Sequence, residues 1–220
     1  MAYPQDLSGK YIEYRIDMGA TGKMDSRLVN GVLPNQTTRA TVAAYTGDPP
    51  PSNSQQRLDL TKTQPQLSFT WLKYCAGYVT TAPLASTVMT GPMTGCYLCR
   101  YKEGGTQIAH IGTAHGSDDP KSIEVKRAWL SFVERSEVSG VTGGSPADYF
   151  FVGELQKAMS LAPPTIVGCL SEAGAYAILL APVPRSQCPA GMNQLLRVAD
   201  VKKMRLQPWA TIAAMRRFRV

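Results

Sequence analysis

Histidine is nearly missing from this chain: His110 and His115 are the two among 220 residues. Any chemistry that needs an imidazole must use one of them. Long apolar runs are missing too, and nothing approaches the length of a membrane span. The opening stretch Met1-Ala-Tyr-Pro-Gln-Asp-Leu-Ser8 has neither the basic nor the apolar region of a signal peptide. Synthesis in the cytoplasm is therefore expected, and export by machinery that reads no cleavable signal stays compatible with it. The five cysteines, Cys75, Cys96, Cys99, Cys169 and Cys188, are odd in number and irregularly spaced, which argues for reduced thiols rather than a disulfide framework. No internal repeat is visible.

What is present fits an ordinary globular chain, with 44% apolar and 18% charged residues. The length suits a single domain over residues 1–220, with the proline-rich loop Gly47 to Gln56 setting off an amino-terminal hairpin region. The net charge of +7 is concentrated late, at Lys202, Lys203, Arg205, Arg216, Arg217 and Arg219. No aromatic-interleaved RNA motif or helix-turn-helix pattern accompanies it, so a solvated basic face is expected and a nucleic-acid partner is not.

Alternation predicts strands over Lys10 to Met18, Leu28 to Leu33 and Arg39 to Tyr45, and an aromatic-rich strand or strand pair over Leu67 to Thr80. Asp118-Asp119-Pro120 opens the strongest helical pattern, with Val125, Ala128, Trp129, Phe132 and Val133 on one face. A second helix is expected from Ser145-Pro146 through Lys157 to Leu161. Strands are expected over Thr165 to Leu170, Tyr176 to Val183 and Leu195 to Val201, while Pro208 to Val220 reads equally as helix or strand. Strands outnumber helices without regular interleaving. The expected class is α+β, with mixed or antiparallel β-sheets packed as a sandwich and helices on the outside.

The most informative stretch is Thr90 to His110. Cys96 to Lys102 and Thr106 to Thr113 read as two strands joined by a turn at Gly104-Gly105. A hairpin can bring Cys96 to His110 although thirteen residues separate them. Register decides which cysteine faces the ring: a turn centred on Gly104-Gly105 sets Cys99 opposite His110, and one nearer Glu103 sets Cys96 there. A cysteine attacks as its thiolate, and an adjacent imidazole takes the proton and later returns it to a leaving amine. Gly95 leaves the backbone amide beside the nucleophile open to an approaching carbonyl. Tyr97, Tyr101 and Gln107 flank the pair and are candidate substrate contacts, although strand packing explains them equally well.

Thr90-x5-Cys96 within Met93-Thr94-Gly95-Cys96, followed across a glycine-rich hairpin by His110, resembles the glutamine deamidases related to cytotoxic necrotizing factor. It is most similar to the Burkholderia lethal factor branch and resembles the chemotaxis receptor deamidase in motif. Met93 stands where the toxins have leucine, and the interval from Cys96 to His110 differs by a couple of residues. The resemblance implies Cys96 as nucleophile, His110 as general base and acid, and Thr90 as the residue that orients the imidazole. It further implies stacked mixed sheets, a thioester intermediate, no cofactor, and a virulence effector that changes a glutamine of a host regulatory protein, such as a small GTPase or a translation factor, to glutamate. A monomer is expected, and transglutaminase chemistry is open to the same site. Substrate selection would live in the loops Gly47 to Gln56 and Ser136 to Ser145.

Two other readings use the same residues. Cys96-x2-Cys99-x10-His110-x4-His115 approaches the spacing of a structural zinc site, which would make the hairpin a metal-stapled binding element. Alternatively Cys96, Cys99 and His110 are core residues of a non-enzymatic interaction protein.

Overall fold

A computed structural model describes residues 4–16, 32–33, 35–48, 56–63, 67–114, 118–135, 137–159, 163–192 and 195–214. The larger part of the strand expected over 28–33, most of the loop 47–56, His115, and the basic residues Arg216, Arg217 and Arg219 lie outside them. Among the described residues no helix is long and apolar enough to cross a membrane.

The chain is mixed α+β and mostly strand. The larger sheet is built from β1 (Tyr11–Ile16), β3 (Thr37–Thr46), β5 (Leu67–Leu72), β7 (Val88–Thr90), β11 (Thr165–Ser171), β12 (Gly174–Pro182) and β13 (Leu196–Met204). Its order is β1-β13-β12-β11-β7-β5-β3, and β3 pairs back onto β1, which closes seven strands into a barrel. A short β4 (Thr61–Lys62) hangs on β3. The smaller sheet orders β14 (Gln207–Pro208), β10 (Ser139–Gly144), β8 (Tyr97–Lys102), β9 (Thr106–Ile111), β6 (Val79–Pro83) and β2 (Val32–Leu33). Pairing is antiparallel except between β5 and β7 and between β2 and β6. The expected sandwich of two open sheets is thus replaced by a barrel with a second sheet beside it. Closure removes the free edges that an open larger sheet would expose.

Period-2 alternation distributes the apolar side chains of the described residues among four cores, three of which bear on the site. Ile12, Val42, Phe69, Met89, Val167, Ile178 and Val198 fill the barrel. Leu72, Val88, Ile166 and Leu179 on its outer wall pack with Met93, Cys96, Leu98 and Ile108 of the second sheet. The far face of that sheet, with Tyr97, Cys99, Tyr101, Ala109 and Ile111, is covered by helix α1 (Pro120–Arg135) through Val125, Trp129, Phe132 and Val133. The expected helical face of α1 is the one that packs.

Several local expectations need correction. The helix expected from Ser145 is broken: Pro146–Tyr149 is a single 3-10 turn, Phe150 and Phe151 are extended, and α2 runs over Val152–Ala158. The segment Ser139–Gly144, expected as a loop over the site, is a strand between β8 and β14. Its glycines hid it, but the packing requires one of them: a Cβ on Gly143 would stand 2.7 Å from the Cys99 sulfur and 2.9 Å from the Leu98 carbonyl. The carboxyl-terminal segment is both things it could have been, with Gln207–Pro208 paired to β10 and Trp209–Ala214 forming a third helix, α3.

Candidate functional site

The site is assembled where the chain leaves the barrel for the second sheet. On β7, Val88 faces outward, Met89 faces the barrel interior, and alternation turns Thr90 outward again toward the second sheet. The next residues run along β11, with the Met93 N–H donating to the Ile166 carbonyl at 2.9 Å. Gly91 permits this approach, since a Cβ there would stand 2.7 Å from the Val167 side chain. Thr94 and Gly95 reach the surface, and Cys96 turns back into the core just before β8 begins.

The hairpin register falls between the two expected ones. Lys102 pairs with Thr106 and Leu98 with His110, so the turn centres on Gly104, at φ 61°, and neither cysteine lies directly opposite the histidine. Continuing from the Tyr97–Ile111 pair, Cys96 opposes Gly112 and is the diagonal neighbour of His110 on the same face. Diagonal neighbours in a sheet stand about 7 Å apart, within reach of a long or aromatic side chain. Cys99, three residues on, belongs to the opposite face under α1. Cys96 and Cys99 therefore cannot join His110 around one ion, and among the described residues no group of three or more potential metal ligands occurs.

His110 is fully buried between the sheets. Its Nδ1 is 2.5 Å from Thr90 Oγ1, a hydrogen bond that crosses from the smaller sheet to the barrel. The other ring nitrogen, Nε2, has no hydrogen-bond partner. Leaving a buried polar nitrogen unpaired costs about 1–3 kcal/mol, so such a group calls for an explanation. When Nδ1–H donates to Thr90, Nε2 carries a free lone pair, the form a proton acceptor needs.

Two residues that the sequence placed only within strands complete the cluster. The loop 73–78 is pinned to the end of β9: Gly77 N–H donates to the Gly112 carbonyl at 2.7 Å, and Gly112 N–H donates to the Tyr78 carbonyl at 3.0 Å. Only glycine fits at 112, because a Cβ would lie 2.3 Å from the Cys75 carbonyl. This close approach lays the Tyr74 ring against the His110 ring, 5.3 Å between centroids, and lets the Tyr74 hydroxyl donate to the Thr113 carbonyl at 2.7 Å. Thr113 in turn places Oγ1 3.5 Å from the Cys96 sulfur. Alternation alone would set Thr113 on the face opposite His110; β9 ends at Ile111, so the rule no longer applies. Tyr74 and Thr113 carried no sequence signal that separates them from other packing residues.

The remaining expected site residues divide. Gly95 lies beside Cys96 and is exposed, and its backbone favours the charged form of the sulfur. Tyr97 is buried on the far face beneath α1, because it is one residue from Cys96 along a strand. Gln107 lies near the hairpin turn, opposite Tyr101, with its amide donating to the Glu103 carbonyl at 3.3 Å. None of Tyr97, Tyr101 and Gln107 borders the cysteine and histidine, so all three are withdrawn as substrate contacts.

Burial governs the protonation states. It pulls the His110 imidazole down from 6.5 to about 3. It pushes the Cys96 thiol up, opposed by hydrogen bonds from the Thr113 hydroxyl and from the Thr113 and Gly95 backbones. Burial by itself favours a neutral thiol and a neutral imidazole. A histidine whose folded pKa is depressed contributes stability that is fully present above the unfolded value of about 6.5 and is lost as pH falls toward about 3. Thermal melts should therefore show the chain weakening below pH 6.5, by up to about 1.4 kcal/mol per pH unit from this residue. His110→Asn should flatten that part of the curve; an unchanged acid slope would mean that His110 already charges in the folded state.

Two clefts lie elsewhere. One of about 770 Å³ is bordered by Lys10, Asp48, Arg57 and Asp59, and another of about 560 Å³ by Tyr11, Lys157, Met159 and Arg197. Neither includes Cys96 or His110. Of the late basic residues, Lys202 is engaged by Glu154 and lies 3.7 Å from Asp200. No family model, no curated protein and no solved structure matches this chain.

Proposed function

We propose that the chain is a cysteine-dependent protein glutamine deamidase, acting as an exported effector on a host regulatory protein. Its strongest support is the hydrogen bond between Thr90 and His110 Nδ1 across the two sheets, which leaves Nε2 buried, unpaired and on the face that carries Cys96. A histidine needed only for packing has no reason to keep one nitrogen unsatisfied. The layering, a sheet laid on the barrel wall with α1 outside, is in keeping with the stacked mixed sheets that the sequence resemblance implies.

In the reaction, substrate binding brings the thiol within reach of Nε2; catalytic hydrogen bonds commonly tighten only in the complex. The thiol proton passes to Nε2 and the sulfur electron pair attacks the side-chain amide carbon. The carbonyl pair moves onto oxygen, toward the Cys96 backbone N–H that exposed Gly95 leaves approachable. Collapse of that intermediate breaks the carbon–nitrogen bond, and ammonia leaves with the proton from His110. Water, deprotonated by His110, then cleaves the thioester, returning the thiol and a glutamate carboxyl. An amine in place of water would give a transglutaminase product.

The test is the rate of iodoacetamide alkylation at each cysteine as a function of pH, read by peptide mass spectrometry. Cys75 is partly exposed and Cys96 is buried, so exposure alone makes Cys75 the faster. The proposal expects Cys96 to react faster than Cys75 near neutral pH, and His110→Ala to slow Cys96 at least about tenfold. If Cys75 leads and Cys96 ignores the loss of His110, no nucleophile–base pair exists and the proposal fails.

A further inference from the structure

We infer that Thr113 is a further residue of the reacting centre: its hydroxyl and backbone, with the Gly95 backbone, hold the Cys96 sulfur as an anion, and Tyr74 fixes Thr113 in place. This rests on the deamidase reading above, because it assigns the group that makes the nucleophile of that reaction available.

Charge sets the requirement. When the S–H bond breaks and the proton goes to His110 Nε2, the electron pair stays on sulfur in a site with almost no water. Both Cys96 and His110 are buried, and the groups acting on Cys96 include no charged side chain among the described residues. The titratable groups that face it are His110, its diagonal neighbour on β9, and Tyr74, with Cys75 beside Tyr74, in the loop 73–78. None is a fixed cation, so hydrogen-bond donors must carry the anion. The Thr113 hydroxyl stands 3.5 Å from the sulfur, and the Thr113 and Gly95 backbones favour its charged form. An ordinary packed cysteine has no need of such a set.

The same donors are held rigidly. The Tyr74 hydroxyl donates to the Thr113 carbonyl at 2.7 Å while the Tyr74 ring lies against His110. Tyr74 therefore spans nucleophile and base: it positions Thr113 through its oxygen and the imidazole through its ring. It is a positioning residue, whereas Thr113 touches the reacting sulfur. Close packing extends to Gly95, where a Cβ would stand 3.3 Å from Thr113 Oγ1, so a larger residue there would press on the hydroxyl.

The rival role for Thr113 is a restraint that keeps the thiol away from His110. The two roles predict opposite signs. As an anion holder, Thr113→Val, which keeps the shape and removes the hydroxyl, should raise the pH midpoint of Cys96 alkylation by about one unit and slow the reaction about tenfold near neutral pH. Thr113→Ser should stay within about twofold of the parent. Tyr74→Phe, which keeps the ring, should move the midpoint up by less. Cys75 alkylation and a thermal melt on each variant report whether the fold is intact; if the valine variant does not fold, Tyr74→Phe decides the question alone by the direction of its shift. An unchanged midpoint, or faster alkylation without the hydroxyl, overturns the inference. His110→Ala, run beside them, separates the two claims. Slowing by His110→Ala without an effect of Thr113→Val leaves the deamidase reading standing and removes Thr113 from it; the reverse pattern keeps Thr113 as the anion holder and removes His110 as base.

Discussion

Cys96→Ser is expected to lower ammonia release from the proteins of a eukaryotic cytosolic extract by about a thousandfold or more, while leaving the melting temperature nearly unchanged. The substitution alters one atom. Serine keeps a hydrogen-bonding group for Thr113 Oγ1, so the packing between the sheets is preserved. What changes is ionisation: an imidazole already held near 3 by burial is too weak a base to draw a proton from an alcohol. Neither Cys169 nor Cys99 can take over. Cys169 lies inside the barrel with its thiol pushed up to about 12, and Cys99 lies under α1 with its thiol pushed higher still. His110→Ala should cost nearly as much as Cys96→Ser, and the double variant little more than either, because residues acting as one unit are not additive. Retained ammonia release in Cys96→Ser would exclude a thioester on this residue.

The parts of this molecule that could be read from its sequence are those whose causes are local. The hairpin from Tyr97 to Ile111 follows from alternating apolar residues around Gly104-Gly105, and α1 from an acidic cap, a proline and one apolar stripe. The barrel could not be read this way, because it closes through pairing of β1 with β3 on one side and β13 on the other, across most of the chain. The hairpin register failed by one residue because a three-residue turn, Glu103 to Gly105, suits the same glycines as its neighbours do. That single step exchanged the direct partner of His110 from a cysteine to Leu98. Thr90 was legible only through a resemblance of motif, and the reason it reaches His110 lies in the third dimension: β7 turns it outward from the barrel onto the facing sheet. Tyr74 and Thr113 meet through a backbone approach at Gly112, which no spacing rule describes.

The largest stability effect should come from the other face of the same strands. Trp129 is wholly buried at the centre of an aromatic group, stacked on Phe132 at 5.5 Å and edge-on to Tyr101 at 5.6 Å and Trp209 at 5.9 Å. It joins α1, β8 and the start of α3, three segments far apart in sequence. Trp129→Ala should cost about 3–5 kcal/mol, since the cavity cannot collapse while rings from separate elements frame it. For a chain of this size, that corresponds to a fall in melting temperature of about 10 °C. Trp129→Phe should lose no more than about 1.5 kcal/mol, because it keeps the ring contacts and removes an indole N–H that has no hydrogen-bond partner. The effect should reach the site as well. His110 and Ile111 are consecutive residues of β9, one facing Thr90 and the other facing α1, so loosening the helix frees the strand that holds the imidazole. Hydrogen exchange of the β9 amides should therefore rise in Trp129→Ala together with alkylation of Cys99, which α1 otherwise covers. A melting temperature lowered by only a degree or two would show that α1 is not what keeps the outer face of the second sheet closed.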